Sequence, residues 1–337
     1  MLNDMIRALV LPFDRGLLPH PSRAFVMRAE AETWEPEWRP LLVAEQSFKP
    51  AFDSLVRAGF AAVARLEGTF PAGFVLMTKH KAENRANFAR AWSLLEEGGL
   101  LVCCGANALG AASFEREVEK VVALDGKLSK HQARVFWLTR RGDAPPAFAE
   151  WQGAAAPKVV EGTPLVARAG CFSPDHVDPG SRVLAGCFPD TLAGRVADLG
   201  AGWGYLGSKL LENPAVTLVD LYESEALALE DARTNLGTTE RTAFHWHDVA
   251  AGMPAVEPYD WVVSNPPFHE GMKADPGIGQ AFIAAAWKII RRRGKFLLVA
   301  NRHLPYEAEL RKRFRDVTLL HEAEGYKVYL SSNRHDR

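Results

Sequence analysis

The residues with the most chemical content are Asn265-Pro266-Pro267-Phe268, directly after the apolar run Tyr259-Asp260-Trp261-Val262-Val263-Ser264. Two consecutive prolines fix φ and push Asn265 toward an extended conformation, so the loop is stiff and continues neither strand nor helix. A stiff loop can hold two acceptors, the Asn265 side-chain oxygen and the Pro266 carbonyl, against the two N–H bonds of one planar NH2 group. Accepting both bonds draws the nitrogen toward tetrahedral geometry and frees a lone pair otherwise delocalised into a ring. Phe268 offers a flat face for a base to stack on, worth about 1–3 kcal/mol per base in single-stranded recognition. The chemistry this suits is in-line attack by an exocyclic amine on a sulfonium methyl, where orientation can supply about 7–11 kcal/mol of the barrier and no catalytic base is required. A bare Asn-Pro turn is the alternative, and it would not explain the elements upstream.

Those elements form a cleft in the expected order. Arg195 to Leu206 (RVADLGAGWGYL) predicts a buried strand, a glycine turn and a helix running to about Leu211. Gly200, Gly202 and Gly204 let the backbone turn sharply and approach a ligand. Their G-x-G-x-G spacing departs from the dinucleotide form G-x-G-x-x-G. A second strand over 216–222 ends at Glu223, where an acid can accept the two hydroxyls of a ribose; Asp220, inside that strand, is the fallback. A third, over 243–247, leads to Asp248, placed to receive an adenine amino group. His245 and His247 share a strand face, but no third ligand accompanies them, so no metal site is expected.

Around this cleft the chain reads as two α/β halves, because short apolar runs alternate with helical periods on both sides of a Pro-, Gly- and Ala-rich stretch at 141–164. That stretch reads as an irregular linker, and the predicted domains are 1–150 and 151–337. The halves repeat one order: strand, helix, glycine, strand, Ala-Asn. It runs through Phe74-Val75-Leu76-Met77, Asn87 to Trp92, Gly98-Gly99, Leu100 to Cys104 and Ala106-Asn107 in the first half. In the second it runs through Trp261 to Ser264, Ala281 to Trp287, Gly294, Phe296 to Val299 and Ala300-Asn301. We read this as an ancient duplication, the alternative being that any two Rossmann-like halves share the order. The first half has no glycine turn after its early strands, and Thr78-Lys79-His80-Lys81 stands where the second has Asn265 to Phe268. It is therefore expected to support the fold or to hold substrate.

With 40 Lys and Arg against 41 Asp and Glu the net charge is −1, so attraction to phosphate must come from local patches such as Arg291-Arg292-Arg293, read as a solvated helix end. The four cysteines have neither zinc nor disulfide-framework spacing. The first twenty residues carry Asp4, Arg7, Asp14 and Arg15, unlike a signal peptide or anchor, and no stretch approaches a membrane span. A cytoplasmic protein without membrane or metal partners is expected.

From Gly170-Cys171-Phe172-Ser173, through Asp198 to Gly204, Asn265 to His269 and Asn301, to Gly325-Tyr326-Lys327-Val328-Tyr329, the chain resembles the RsmC-type ribosomal RNA guanine-N2 methyltransferases. The resemblance implies two tandem Rossmann-like class I methyltransferase domains, the N-terminal one degenerate. It implies methyl transfer from S-adenosylmethionine to the N2 amine of a guanine in ribosomal RNA, 16S foremost, free or in a ribosomal subunit. Asp198, Gly200, Gly202, Gly204, Glu223, Asp248 and Asn265 would line the donor site, and Asn265, Pro266, Pro267 and Phe268 would bind the amine. Adenine N6 or a protein glutamine amide is the competing substrate, since similar loops serve both. A non-catalytic RNA-binding or ribosome-assembly protein is the competing class.

Overall fold

The computed structural model describes residues 2–31, 34–267, 269–270, 273–274 and 276–334. The chain divides into two units, Met1–Ala156 and Pro157–Arg337.

In the first unit the elements are α1 (Leu2–Asp14), β1 (Ala24–Met27), β2 (Leu42–Glu45), α2 (Lys49–Arg57), β3 (Ala61–Val63), β4 (Phe70–Leu76), α3 (Lys81–Ser93), β5 (Leu95–Ala106), α4 (Ala111–Glu119), β6 (Gly126–Lys130), β7 (Ala133–Thr139) and α5 (Pro146–Ala154). They build a seven-stranded sheet in the order β3-β2-β1-β4-β5-β7-β6, parallel from β3 to β5, with β7 antiparallel to both its neighbours.

The second unit begins with the hairpin β8 (Lys158–Val159) and β9 (Val166–Ala167), then α6 (Pro179–Gly186). Next come β10 (Gly194–Leu199), α7 (Tyr205–Leu211), β11 (Val216–Glu223), α8 (Ala226–Leu236), β12 (Thr242–Trp246) and β13 (Tyr259–Ser264). After the short pair β14 (His269–Glu270) and β15 (Lys273–Ala274) follow α9 (Pro276–Ile289), β16 (Ile290–Asn301), α10 (Tyr306–Arg313), β17 (Phe314–Ala323) and β18 (Tyr326–Arg334). The main sheet runs β12-β11-β10-β13-β16-β18-β17, again parallel as far as β16 and then antiparallel, which is the strand order of the first unit repeated. Successive strand residues alternate between two cores: Ala197, Leu199, Val262, Phe296 and Leu298 on one face, Val196, Val219, Val263, Leu297 and Val299 on the other. Burial on both faces is what near-continuous apolar runs in parallel strands provide. The strand order reverses between β10 and β13, so their carboxyl ends open onto the crevice where such sheets bind ligands.

The corresponding reversal in the first unit lies between β1 and β4, and side chains bridge it. Arg28, held at φ 61°, reaches the Ser47 hydroxyl at 3.2 Å and the Glu83 carboxylate at 3.2 Å. Asn84 clasps the Thr78 backbone on both sides, accepting from its N–H at 2.8 Å and donating to its carbonyl at 2.9 Å. An arginine thus follows the first strand where the second unit has its glycine turn, and this half is a degenerate copy of the fold.

Two expectations need correction. The stretch 141–164 is not irregular throughout: residues 146–154 form α5, and the expected cut after residue 150 falls inside it. Phe148 and Trp151 stand one turn apart and are buried against α3, with ring centroids 5.5 Å between Phe148 and Trp92 and 6.2 Å between Trp151 and Phe88. Two aromatic anchors outweigh a composition rich in Pro, Gly and Ala. Arg291-Arg292-Arg293 opens β16 rather than closing a helix, and the Arg291 guanidinium ties that strand to Asp260.

Because Phe148 is 1 % exposed, Phe148→Ala is expected to cost about 3–5 kcal/mol in denaturant unfolding. A loss under about 1 kcal/mol would return α5 to the status of a linker.

Candidate active site

The site starts from the turn after β10. Gly200, Gly202 and Gly204 have φ of 78°, 55° and 91°, a left-handed backbone that side chains disfavour. At Gly204 the space is restricted as well, since a Cβ would come within 3.2 Å of Ala232 on α8. At Gly202 a Cβ would meet nothing within 4 Å, so the backbone there faces open space. The Gly200 and Ala201 N–H groups both donate to the Tyr222 carbonyl, at 2.9 and 3.0 Å, which locks the turn onto β11.

Glu223, at the end of β11, grips the same turn. One of its oxygens accepts from the Gly202 N–H at 2.8 Å, and the other accepts from the Glu225 N–H at 2.8 Å and the Ser224 hydroxyl at 3.2 Å. A carboxylate has about four acceptor sites, so these contacts leave roughly one for a ligand hydroxyl. A two-hydroxyl grip on a ribose therefore requires the long Ser224 contact to give way. Burial raises the Glu223 pKa, opposed by the backbone N–H groups of Glu225 and Gly202.

Asp198 lies beneath this turn, fully buried, and neither of its side-chain oxygens has a hydrogen-bond partner among the described residues. Burial first, and the neighbouring Glu223 charge second, push its pKa up to about 7, opposed by the backbone N–H of Gly207 on α7, which faces the carboxyl without making a well-formed hydrogen bond. A buried carboxyl left unsatisfied costs free energy, and a cationic ligand group nearby would relieve that cost.

Across the crevice, the Ser264 hydroxyl at the end of β13 donates to the Leu199 carbonyl at 2.8 Å and fastens the Asn265 loop to the glycine strand. The Asn265 amide nitrogen donates to Asp178 Oδ2 and Ser181 Oγ, both at 2.8 Å. A carboxylate can only accept, so the amide nitrogen is fixed toward Asp178 and Oδ1 is turned the opposite way, free to accept. Asp178 itself is the N-cap of α6, accepting from the Ser181 N–H at 2.8 Å, with Pro179 at the first helical position. Pro266 is buried and Pro267 exposed, while Phe268 lies outside the described residues.

One pocket gathers Gly200, Gly202 and Asn265 with Asp178, Ser181 and the half-exposed ring of Phe172. Glu223 joins it through the Gly202 N–H. Asp248 does not line it: Asp248 caps the 3-10 turn Val249–Ala251, accepting from the Ala250 N–H at 3.0 Å. It follows β12, where Trp246 pairs with Glu223, so it sits at the same end of the sheet, farther along the rim. The fallback Asp220 is already engaged, 4 % exposed and bound to Arg195 at 3.2 Å and His245 at 2.6 Å. His245 stacks on Tyr222 at 4.4 Å and His247 meets the same ring edge-on. Among the described residues no cluster of three or more His, Cys, Asp or Glu could hold a metal ion, and no helix is long and apolar enough to cross a membrane.

Asp178 and Ser181 are not among the residues the sequence singles out, and Phe172 stands there only in the run that carries the family resemblance, with no site role. The run Asp178-Pro179-Gly180-Ser181 carries a recognisable signal, an N-cap acid followed by proline at the first helical position. It announces a helix start without revealing that the cap also holds Asn265.

A doubly wound sheet with a glycine turn and a pinned Asn-Pro-Pro loop at its reversal defines a Rossmann-like class I methyltransferase cleft. The model of the Methyltransferase small domain family matches residues 162–330, 169 of the 337, and the chain belongs to that family. Among curated relatives, the ribosomal RNA small subunit methyltransferase C of Shewanella sp. (strain MR-4) is 29 % identical over 242 residues, covering 71 % of this chain and 70 % of that protein. Its counterpart in Haemophilus influenzae (strain PittEE) is 27 % identical over 265 residues, covering 76 % and 77 %. Among solved structures, the Thermus thermophilus 16S rRNA N2 G1207 methyltransferase (RsmC), in complex with AdoMet and guanosine, superposes with a TM-score of 0.74. It is 24 % identical and covers 94 % of this chain and 90 % of that one, a likeness in fold across both units.

The Asp198 carboxyl titrates near 7 in the fold and near its ordinary 3.9 when unfolded, so its ionisation opposes folding fully above pH 7 and not at all below about pH 4. Asp198→Asn should therefore raise the melting temperature of the ligand-free protein at pH 8, with the gain shrinking to nothing near pH 4. A pH series of thermal melts checks this, and a gain independent of pH would contradict it.

Proposed function

We propose that the second unit transfers a methyl group from S-adenosylmethionine to the exocyclic N2 amine of a guanine in small-subunit ribosomal RNA, in the cytoplasm, and that the first unit serves as its support or RNA-holding partner. The chemistry of the crevice fits this donor. The open space at Gly202 admits a ligand against the backbone, and the buried, poorly satisfied Asp198 carboxyl nearby suits a cationic group. Glu223 would hold a ribose hydroxyl and Asp248 the adenine amine, with Gly200, Gly202 and Gly204 shaping the wall between them. S-adenosylmethionine, when bound, supplies an electrophilic methyl on a sulfonium.

The chain's own residues then have to present the amine. Asn265 Oδ1 and the Pro266 carbonyl accept its two N–H bonds, which localises the lone pair on nitrogen and aims it. Pro267 keeps the loop rigid, and Phe268 supplies the stacking face. Proton loss follows methyl transfer and can go to water, so no base is assigned. The observation that carries this reading is the Asn265 amide, whose nitrogen is bonded to Asp178 and Ser181 so that its oxygen is left as the acceptor.

Asn265→Ala is expected to lower kcat by about a hundredfold to a thousandfold, the usual cost of removing one preorganised polar group from a reacting centre. Asp178→Asn, which lets the amide turn over, should lower kcat by roughly tenfold while leaving S-adenosylmethionine affinity within twofold. Single-turnover kinetics and donor titration check both. Mass mapping of ribosomal RNA from cells with and without this chain should show one N2-methylguanosine lost. Loss of an N6-methyladenosine, or full turnover by Asn265→Ala, would overturn the assignment.

A further inference from the structure

Beside the glycine-turn pocket lies a second, larger cavity of about 540 Å3, within the size range of sites that hold small organic ligands. Tyr205 lines both cavities, and successive residues of α6 divide between them, Ser181 facing the first and Arg182 the second. Around the larger cavity stand the Tyr205 ring, the cations Arg182 and Lys209, His176, and the carboxylates Glu161 and Glu212. Its loop wall is held by the Val160 N–H donating to the Leu165 carbonyl at 2.8 Å and rests on the buried cluster of Val160, Ala167 and Trp203. The cavity is thus a built feature of the unit. None of these residues has a part in the methyl-transfer chemistry.

The donor set matches a nucleotide. An aromatic ring stacks on any base, with Tyr205 already half-buried and fixed at the start of α7. Arg182 and Lys209 can take phosphate oxygens, the arginine with two parallel bonds. Glu161 and Glu212 can accept from the amino or imino edge of a base. The cations' present partners do not prevent this. Arg182 pairs with Glu324 at 58 % and 55 % exposure, and Lys209 with Glu212 at 40 % and 66 %. Such exposed pairs contribute little to stability, so a phosphodiester can replace them.

We propose that this cavity receives the nucleotide next to the target guanine, its base against Tyr205 and its phosphate at Arg182 and Lys209. This rests on the reading of the second unit as an RNA methyltransferase, and it makes the substrate an unstacked RNA strand gripped at two consecutive nucleotides rather than a single flipped base.

The test compares the full-length protein with Arg182→Gln/Lys209→Gln, using a labelled single-stranded RNA oligonucleotide with one central guanine. Arg311→Gln/Lys312→Gln on α10, which removes the same charge elsewhere, is the control. For the cavity variant, anisotropy titrations should show RNA affinity falling about tenfold, and the slope of log affinity against log salt shrinking by about 0.7 per phosphate released. In turnover assays the loss should fall in KM rather than kcat, with the control unchanged in both measurements. Wild-type RNA affinity and salt slope in the cavity variant, or an equal loss in the control, would overturn the proposal. If the wild-type protein binds the RNA through these residues yet methylates no guanine, the proposed reaction fails while the nucleotide site stands, because the site is read by binding alone.

Discussion

The Asp178 carboxylate has two tasks, and the geometry of the crevice depends on its doing both. It caps α6 through the Ser181 N–H, and it holds the Asn265 amide nitrogen. Because one oxygen serves both bonds, the position of a helix start and the orientation of the Asn265 amide are coupled. The capping bond alone is a contribution of about 1 kcal/mol in other helices. Its second role is geometric: an asparagine free to flip would turn N–H donors into the crevice, and under the proposed reaction these would oppose an amine that itself only donates. Ser181, adding a second acceptor at the same distance, makes the flipped orientation costlier still.

On the other side of the crevice the constraint is electrostatic. Asp198 and Glu223 are neighbouring acids on adjacent strands, and after burial itself the Glu223 charge is what raises the cost of ionising Asp198. Glu223 is compensated by three donors, and Asp198 by no side-chain hydrogen bond among the described residues. Such an arrangement is unfavourable in an empty crevice and favourable beside a positive charge, which is the pattern expected where binding a cation has shaped the site. The glycine turn adds access. With backbone rather than side chains facing the opening at Gly202, a ligand can come close to the buried acid.

What could be read in the sequence follows from distance along the chain. The Asn-Pro-Pro run, the three glycines and the acid closing β11 are local patterns, each with its physical meaning inside a few residues. The strand–turn–helix order around them was legible for the same reason, since β10, α7, β11 and β13 follow buried-strand and helical periods closely. Asp178 could not be found this way, because its partner Asn265 lies 87 residues away and only the sheet brings the two together. Asp248 carries two local meanings: an acid after a strand can face a ligand at the sheet end, and it is equally suited to cap the turn that follows, as it does for Ala250. Helix α5 shows the limit of composition, for two buried aromatic rings and the good helix formers between them outweigh Pro146 and Gly153.

The repeated strand order explains why one half can lose its chemistry without losing its fold. Sheet topology and the two cores depend on apolar alternation, which both units keep. The crevice depends on a handful of residues at the strand reversal, and these are free to change independently of the cores. In the first unit Arg28 replaces the glycine turn and meets Glu83 and Ser47 across the gap, so a ligand would have to break an ion pair to enter. Thr78, in the loop that follows β4 as the Asn265 loop follows β13, has both its backbone groups taken by Asn84. Filling the crevice with its own polar contacts satisfies the groups that a bound donor would otherwise have satisfied, and it converts a binding site into an internal brace.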